Sequence, residues 1–286
     1  MSLESSPFRL IRGQRRKIPL HLQQTRKLPD INKIVVKFKV RYPQSQVTED
    51  RQVLLSIRHV PALESLSANE LHHLDPLQQT YWAPHPSASL LLPPSKISSR
   101  PTQFTTPVLA LHGAGVSLHS EFWTNAIPKQ KHSWVIVPGG GSAWGYDWQG
   151  PSLQDALAAV DTLRARYPDM APGLVVLGHS NGGQGTLHIA SRFPDLVRSL
   201  LPAAAYQSAP LYVPNAYAYG VHFSDPALTA ILHASLAGTE NDLFFGNLVR
   251  SRVTLVHGSA DTNVPSYHSA GAMQIIKSWE PSADAR

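Results

Sequence analysis

Beyond residue 106 four short stretches, "PVLALHG" (107–113), "WVIVPGG" (134–140), "LVVLGHS" (174–180) and "RVTLVHG" (252–258), are apolar at nearly every position and run into glycine. Uniform hydrophobicity over four or five residues requires burial on both faces, the condition of strands in a parallel sheet covered by helices, whereas a half-exposed strand alternates. Periodic segments lie between these runs. Leu153, Ala156, Leu157, Val160 and Leu163 recur at helical spacing ahead of Tyr167 and Pro168, and Ser152 with Asp155 has the form of a capping box. The predicted fold class is therefore α/β: a mostly parallel sheet with helices on both faces, carrying its chemistry on loops at the C-terminal strand edges. No internal repeat is evident.

The first 106 residues have a different texture. Residues 1–51 hold 12 Lys and Arg against 4 Asp and Glu, while the other 235 residues are close to neutral. A net charge of +6 thus describes a basic N-terminal flank and not the whole chain. Residues 1–30 read as a loosely attached segment. Within 31–82, Val36, Phe38, Val40 and Tyr42 alternate with Lys37, Lys39 and Arg41, and Val53, Leu55 and Ile57 repeat the alternation, which predicts a small antiparallel hairpin. Residues 83–106 are rich in proline and serine and read as a connection with one short strand at Leu90–Leu92. The domain proper is expected over 107–286.

The chain contains no cysteine, which excludes disulfides, thiolate nucleophiles and Cys-based zinc sites. Its basic flank lacks the aromatic interleaving or zinc spacing of a nucleic-acid reader, so no nucleic acid is expected as a partner. No apolar run reaches the length of a signal-peptide core or a membrane span, leaving the cytoplasm as the default expectation. None of the 14 histidines shows H-E-x-x-H or another metal spacing, and no metal or cofactor is expected.

One corner of this pattern carries chemistry. In "VVLGHSNGGQGTLHIA" (175–190) a buried strand turns through Gly178-His179-Ser180-Asn181-Gly182 into a helix, the context in which G-x-S-x-G acts as a nucleophile elbow. The plain alternative is a serine that merely caps the helix. As a nucleophile, Ser180 would sit where free backbone NH groups favour a developing anion. One oxyanion donor would be the NH of Asn181; the second would come from the loop "HGAG", with Ala114 named first and Gly113 second. Asp261, beyond the strand "RVTLVHG", follows in the chain order Ser then Asp and is the candidate acid that orients a histidine.

The histidine itself is not in the expected place. A helix, a strand and two connections would put it about 30 residues beyond Asp261, and only 25 residues follow. His268 is the only histidine after Asp261, at the start of a helix predicted from Ser266 to Trp279. It is the remaining candidate for the base. A shortened gene product, lacking a final strand and histidine, is the expectation that follows.

Together "LHGAG", "GHSNGGQG" and "HGSADTNVPSYHS" resemble an α/β-hydrolase, and H-G-x-x-D-x-x-V-P-x-x-x-S around Asp261 is similar to the catalytic domain of the prolyl oligopeptidase family of serine peptidases. "PGGGSAWGYDWQGPSLQDALAAVDTL" (138–163) resembles that family's Gly-rich loop and following helix. The resemblance implies Ser180 as nucleophile, Asp261 as orienting acid, Asn181 NH in the oxyanion hole, and a peptide or small acyl substrate. The family's terminal histidine has no counterpart, and about 100 upstream residues are too few for a β-propeller. Two alternatives stand beside a peptidase: a carboxylesterase with a cap formed by residues 205–249, and a non-catalytic pseudoenzyme or remnant.

Overall fold

The computed structural model describes residues 32–42, 47–57, 59, 63–83, 85–95, 105–212 and 225–286. The chain divides into two compact units, Met1–Ser67 and Ala68–Arg286. In the first, β1 (Lys33–Tyr42) and β2 (Val47–Ser56) form an antiparallel pair whose register runs from Lys33 opposite Ser56 to Tyr42 opposite Val47. The basic segment expected at 1–30 lies outside the described residues.

The second unit holds a seven-stranded sheet of β3 (Leu77–Trp82), β4 (Pro86–Leu92), β5 (Val108–Leu111), β6 (Val135–Pro138), β7 (Leu174–His179), β8 (Val197–Ala203) and β9 (Arg252–Val253). Their order is β3-β4-β6-β5-β7-β8-β9. Only β4 breaks the parallel run, pairing antiparallel with both β3 and β6. Seven helices accompany the sheet among the described residues: α1 (Ala68–His73), α2 (Glu121–Ala126), α3 (Pro151–Arg166), α4 (Asn181–Arg192), α5 (Ala209–Tyr212), α6 (Pro226–Leu236) and α7 (Tyr267–Trp279).

Three of the uniform apolar runs become the centre of this sheet as β5, β6 and β7, whereas "RVTLVHG" supplies only the two-residue β9 at its edge. Leu109, Ala110, Leu111, Val135, Ile136 and Val137 are each 0% exposed, which requires cover on both faces. Complete burial of a Leu or Ile contributes about 1.5–3 kcal/mol, so β5 and β6 anchor the unit. Helix α4 is buried along almost its whole length, from Asn181 to Ser191.

Two features differ from the sequence expectation. Strands β3 and β4 belong to the sheet, although composition assigns their residues to the hairpin element and the connection. Pro86 opens β4 opposite Trp82, the last residue of β3, ahead of the buried stretch Ser89–Leu92 that pairs with β6. Further, Ser152 and Asp155 do not form a capping box. Gly150 is the N-cap and Pro151 starts α3, leaving Ser152 Oγ to donate to Gly140 O at 2.8 Å and Asp155 Oδ2 to accept from Gly140 NH at 2.8 Å. Tyr81 OH on β3 donates to the other Asp155 oxygen at 3.0 Å. Both buried side chains therefore tie the Gly-rich loop after β6 to the helix that follows it.

Candidate active site

At the C-terminal tips of β5, β7 and β9 the loops singled out by sequence carry well-defined geometry. Ser180, between β7 and α4, has φ +57° and ψ −118°, a left-handed conformation that costs a non-glycine residue about 1–3 kcal/mol. The surrounding glycines make this turn feasible. A Cβ on Gly178 would lie 2.1 Å from Gly182 O, and one on Gly182 would lie 2.0 Å from Leu111 O. Both obstacles are backbone atoms, so the spacing of G-x-S-x-G is imposed by contact and not only by flexibility. Ser180 NH donates to Ala203 O at 2.9 Å and its carbonyl accepts from Gln184 NH at 3.0 Å.

Gly113 lies directly beside this serine. A Cβ built on it would stand 3.6 Å from Ser180 Cβ and 3.3 Å from His179 O. Gly113 is buried, Ala114 is exposed, and Gly115 turns the loop at φ +80°. His112 Nδ1 contacts Gly113 O at 2.9 Å, and Val116 NH reaches the same oxygen at 3.4 Å. His112 Nε2 lies 3.4 Å from Gly139 O. Because a peptide is planar and trans, fixing Gly113 O on one side aims the Ala114 NH to the opposite side.

Asp261 stands in the loop after β9, and the chain leading to that loop is tied by backbone bonds to the end of β8. Ala204, the neighbour of the residue that accepts from Ser180 NH, donates to Val256 O at 2.8 Å, and Val256 NH returns to Pro202 O at 3.2 Å. Asp261 Oδ1 accepts from the NH groups of Asn263 and Val264, each at 2.9 Å. Those bonds, to Val264 first and then Asn263, hold its carboxyl below the ordinary value, and His257 and His179 act in the same direction. His257 Nε2 is 3.7 Å from Asp261 Oδ2 but only 2.7 Å from Val264 O, so its proton goes to the carbonyl. Its Nδ1 is 2.7 Å from Ser269 Oγ.

His268 occupies the first turn of α7, 1% exposed, between Tyr267 at 4.4 Å and Tyr212 at 6.3 Å between ring centres. Neither ring nitrogen has a hydrogen-bond partner among the described residues. Burial, with His257 nearby, pushes its pKa down and keeps it neutral. A buried polar group left unpaired costs about 1–3 kcal/mol. His268→Phe should therefore be at least as stable as the parent at pH 7.5. With a folded pKa below the unfolded value near 6.5, His268 contributes stability above that pH and loses it as pH falls. The variant should show a shallower decline in melting temperature between about pH 6.5 and 5; an unchanged slope would remove His268 from the acid response.

Sequence reasoning did not single out the side chains packed behind the serine. Trp148 is 0% exposed, donates from Nε1 to His112 O at 3.1 Å, and sits edge-to-face on the His112 ring at 4.9 Å. Asp147 Oδ1 accepts from Tyr206 OH at 2.8 Å and from Asn181 Nδ2. The only signal for them was the aromatic text "WGYDWQG" between glycines. Of the cap region 205–249, residues 213–224 lie outside the described residues. The run Asp242–Leu248 buries Phe245 and Leu248, whereas α6 buries no residue. No group of three or more potential metal ligands occurs among the described residues, and none of their helices is long and apolar enough to cross a membrane.

No protein-family model matches the chain. An uncharacterized secreted protein of Arthroderma benhamiae is 29% identical over 174 residues, covering 57% of this chain and 18% of its own length. The chain thus spans less than a fifth of that relative. Among solved structures, the acylaminoacyl peptidase of Pyrococcus horikoshii superposes with a TM-score of 0.56 at 12% identity, covering 72% of this chain and 35% of the peptidase. An acylaminoacyl peptidase in complex with Z-Gly-Gly-Phe-chloromethyl ketone gives 0.54 at 14% identity, with the same coverages of 72% and 35%. At such identities the likeness concerns the fold, which is that of the α/β-hydrolases.

Proposed function

We propose that the chain is a serine hydrolase that acts through an acyl-enzyme, with Ser180 as nucleophile and a peptide or small acyl compound as substrate. The observation that carries this reading is the left-handed Ser180 at a strand-to-helix corner, with Gly113 packed against its Cβ. The NH of Asn181 opens α4, where helix geometry leaves first-turn NH groups without intrahelical acceptors. That NH and the Ala114 NH serve as the oxyanion donors, Gly113 giving the approach. Asp261, held ionised by two backbone NH groups, orients the base.

The base must be an imidazole at Asp261 Oδ2. His257 spends its ring nitrogens on Val264 O and Ser269, and His268 is enclosed by Tyr212 and Tyr267. The reading therefore assigns the base to an imidazole outside the described histidines of this loop. A fluorophosphonate probe tests the nucleophile. Labelling at Ser180, lost in Ser180→Ala and accelerated by added imidazole, is the expected result. A wild-type signal no greater than that of Ser180→Ala, with imidazole present, would leave only the non-catalytic reading. Comparing peptide anilides with short-chain nitrophenyl esters then separates peptidase from esterase.

A further inference from the structure

Gly145, Tyr146, Asp147 and Trp148 form a run of four successive residues with left-handed backbone. Their φ angles are +58°, +44°, +55° and +56°, and a left-handed non-glycine residue costs about 1–2 kcal/mol. Three such residues in succession persist only where the surroundings over-determine them. Trp148 supplies one constraint through complete burial and its bond to His112 O. Asp147 supplies the other. Its Oδ1 accepts from Tyr206 OH at 2.8 Å and from Asn181 Nδ2, and Asn181 Nδ2 also reaches Tyr206 OH at 3.3 Å. Two donors converge on one carboxylate oxygen, an arrangement stronger than neutral pairings.

The partner on the far side of this clamp is the residue that follows Ser180. Asn181 is 4% exposed, and its side chain and its backbone NH leave the same Cα. A side chain fixed at its tip limits rotation of the peptide that carries the NH, and oxyanion donors act through fixed aim. We propose that Asp147 is a positioning residue: by gripping the Asn181 side chain, with Tyr206 as a second strut, it aims the Asn181 NH at the oxyanion formed on Ser180. The inference rests on Ser180 being the nucleophile. The left-handed turn is what brings the carboxylate to Asn181.

Glycine separates positioning from folding, because it adopts positive φ without the Cβ penalty. In Asp147→Gly the relief of left-handed strain at 147 offsets the lost hydrogen bonds, so the melting temperature should shift by only a few degrees while the variant loses the clamp. With the fluorophosphonate probe and added imidazole, its maximal inactivation rate should fall about 10-fold to 100-fold, within the loss caused by deleting an oxyanion donor outright. The reversible affinity for the probe should stay within about threefold, since the donor acts mainly in the transition state. Exchange of the Asn181 amide should quicken. In Asp147→Asn/Asn181→Asp the amide and carboxylate trade places, and most of the lost rate should return. An Asp147→Gly rate within twofold of wild type, or a loss that tracks only the unfolded fraction, would overturn the proposal. Wild type that labels no better than Ser180→Ala would instead overturn the nucleophile reading beneath it.

Discussion

Gly182→Ala should destabilise the chain by more than about 4 kcal/mol and abolish probe labelling at Ser180. The added Cβ would stand 2.0 Å from Leu111 O, 2.5 Å from Leu111 C and 2.7 Å from His112 O, all backbone atoms where β5 enters the HGAG loop. No rotamer change relieves that overlap. Either α4 moves off the sheet or β5 shifts, and α4 is buried from Asn181 to Ser191. Gly258→Ala is the matched control. It lies in the loop that leads to Asp261, yet a Cβ there meets nothing within 4 Å, so its effect should stay within about 0.5 kcal/mol. Urea titrations of the two variants decide the matter; comparable midpoints would mean that the close approach of α4 to β5 is not obligatory.

Trp148→Ala should cost about 3–5 kcal/mol, the usual range for removing a large buried aromatic ring. Area is only part of the reason. The ring fills the space between His112, Gly140, Gly145 and Gly185; a Cβ on Gly185 would come within 2.5 Å of Trp148 Cβ and Cγ. Without the indole, His112 O loses its donor and the left-handed turn loses its buried end. Labelling of Ser180 should therefore fall further than the stability loss explains, because the HGAG loop and Asp147 are both released. Chemical denaturation together with labelling at a temperature where the variant is folded separates the two losses. Wild-type labelling in a folded Trp148→Ala chain would show that the loop is held by other means.

The parts of this molecule that sequence revealed share one property: their requirement is local or binary. β5 and β6 are legible because burial on two faces leaves no position for a polar residue, and a run such as Val108–Leu111 records that directly. The elbow is legible because close backbone contact admits only glycine at 178 and 182. Strands β3 and β4 were hidden because β3, at the sheet edge, is mixed in polarity, and Pro86 and Ser87 stand at the start of β4, before the stretch that pairs with β6. Ser152 and Asp155 matched a capping pattern while spending their side chains on a loop a dozen residues upstream. Asp147 was illegible for the same reason on a larger scale. Its partners are 34 and 59 residues away in sequence, and nothing in either segment announces the other.

Among the described residues, the five non-glycine positions with positive φ are Tyr146, Asp147, Trp148, Ser180 and Ala204. Two of them are tied to the Ser180 corner: Asp147 grips the neighbour of Ser180, and Ala204 adjoins the carbonyl that Ser180 NH donates to. Conformational tension is thus concentrated in a patch of a few residues, while β5 and β6 beneath it carry almost none. Regions of this kind open at lower free energy than the scaffold that bears them. On warming, the corner that holds Ser180 should loosen before the sheet beneath it unfolds.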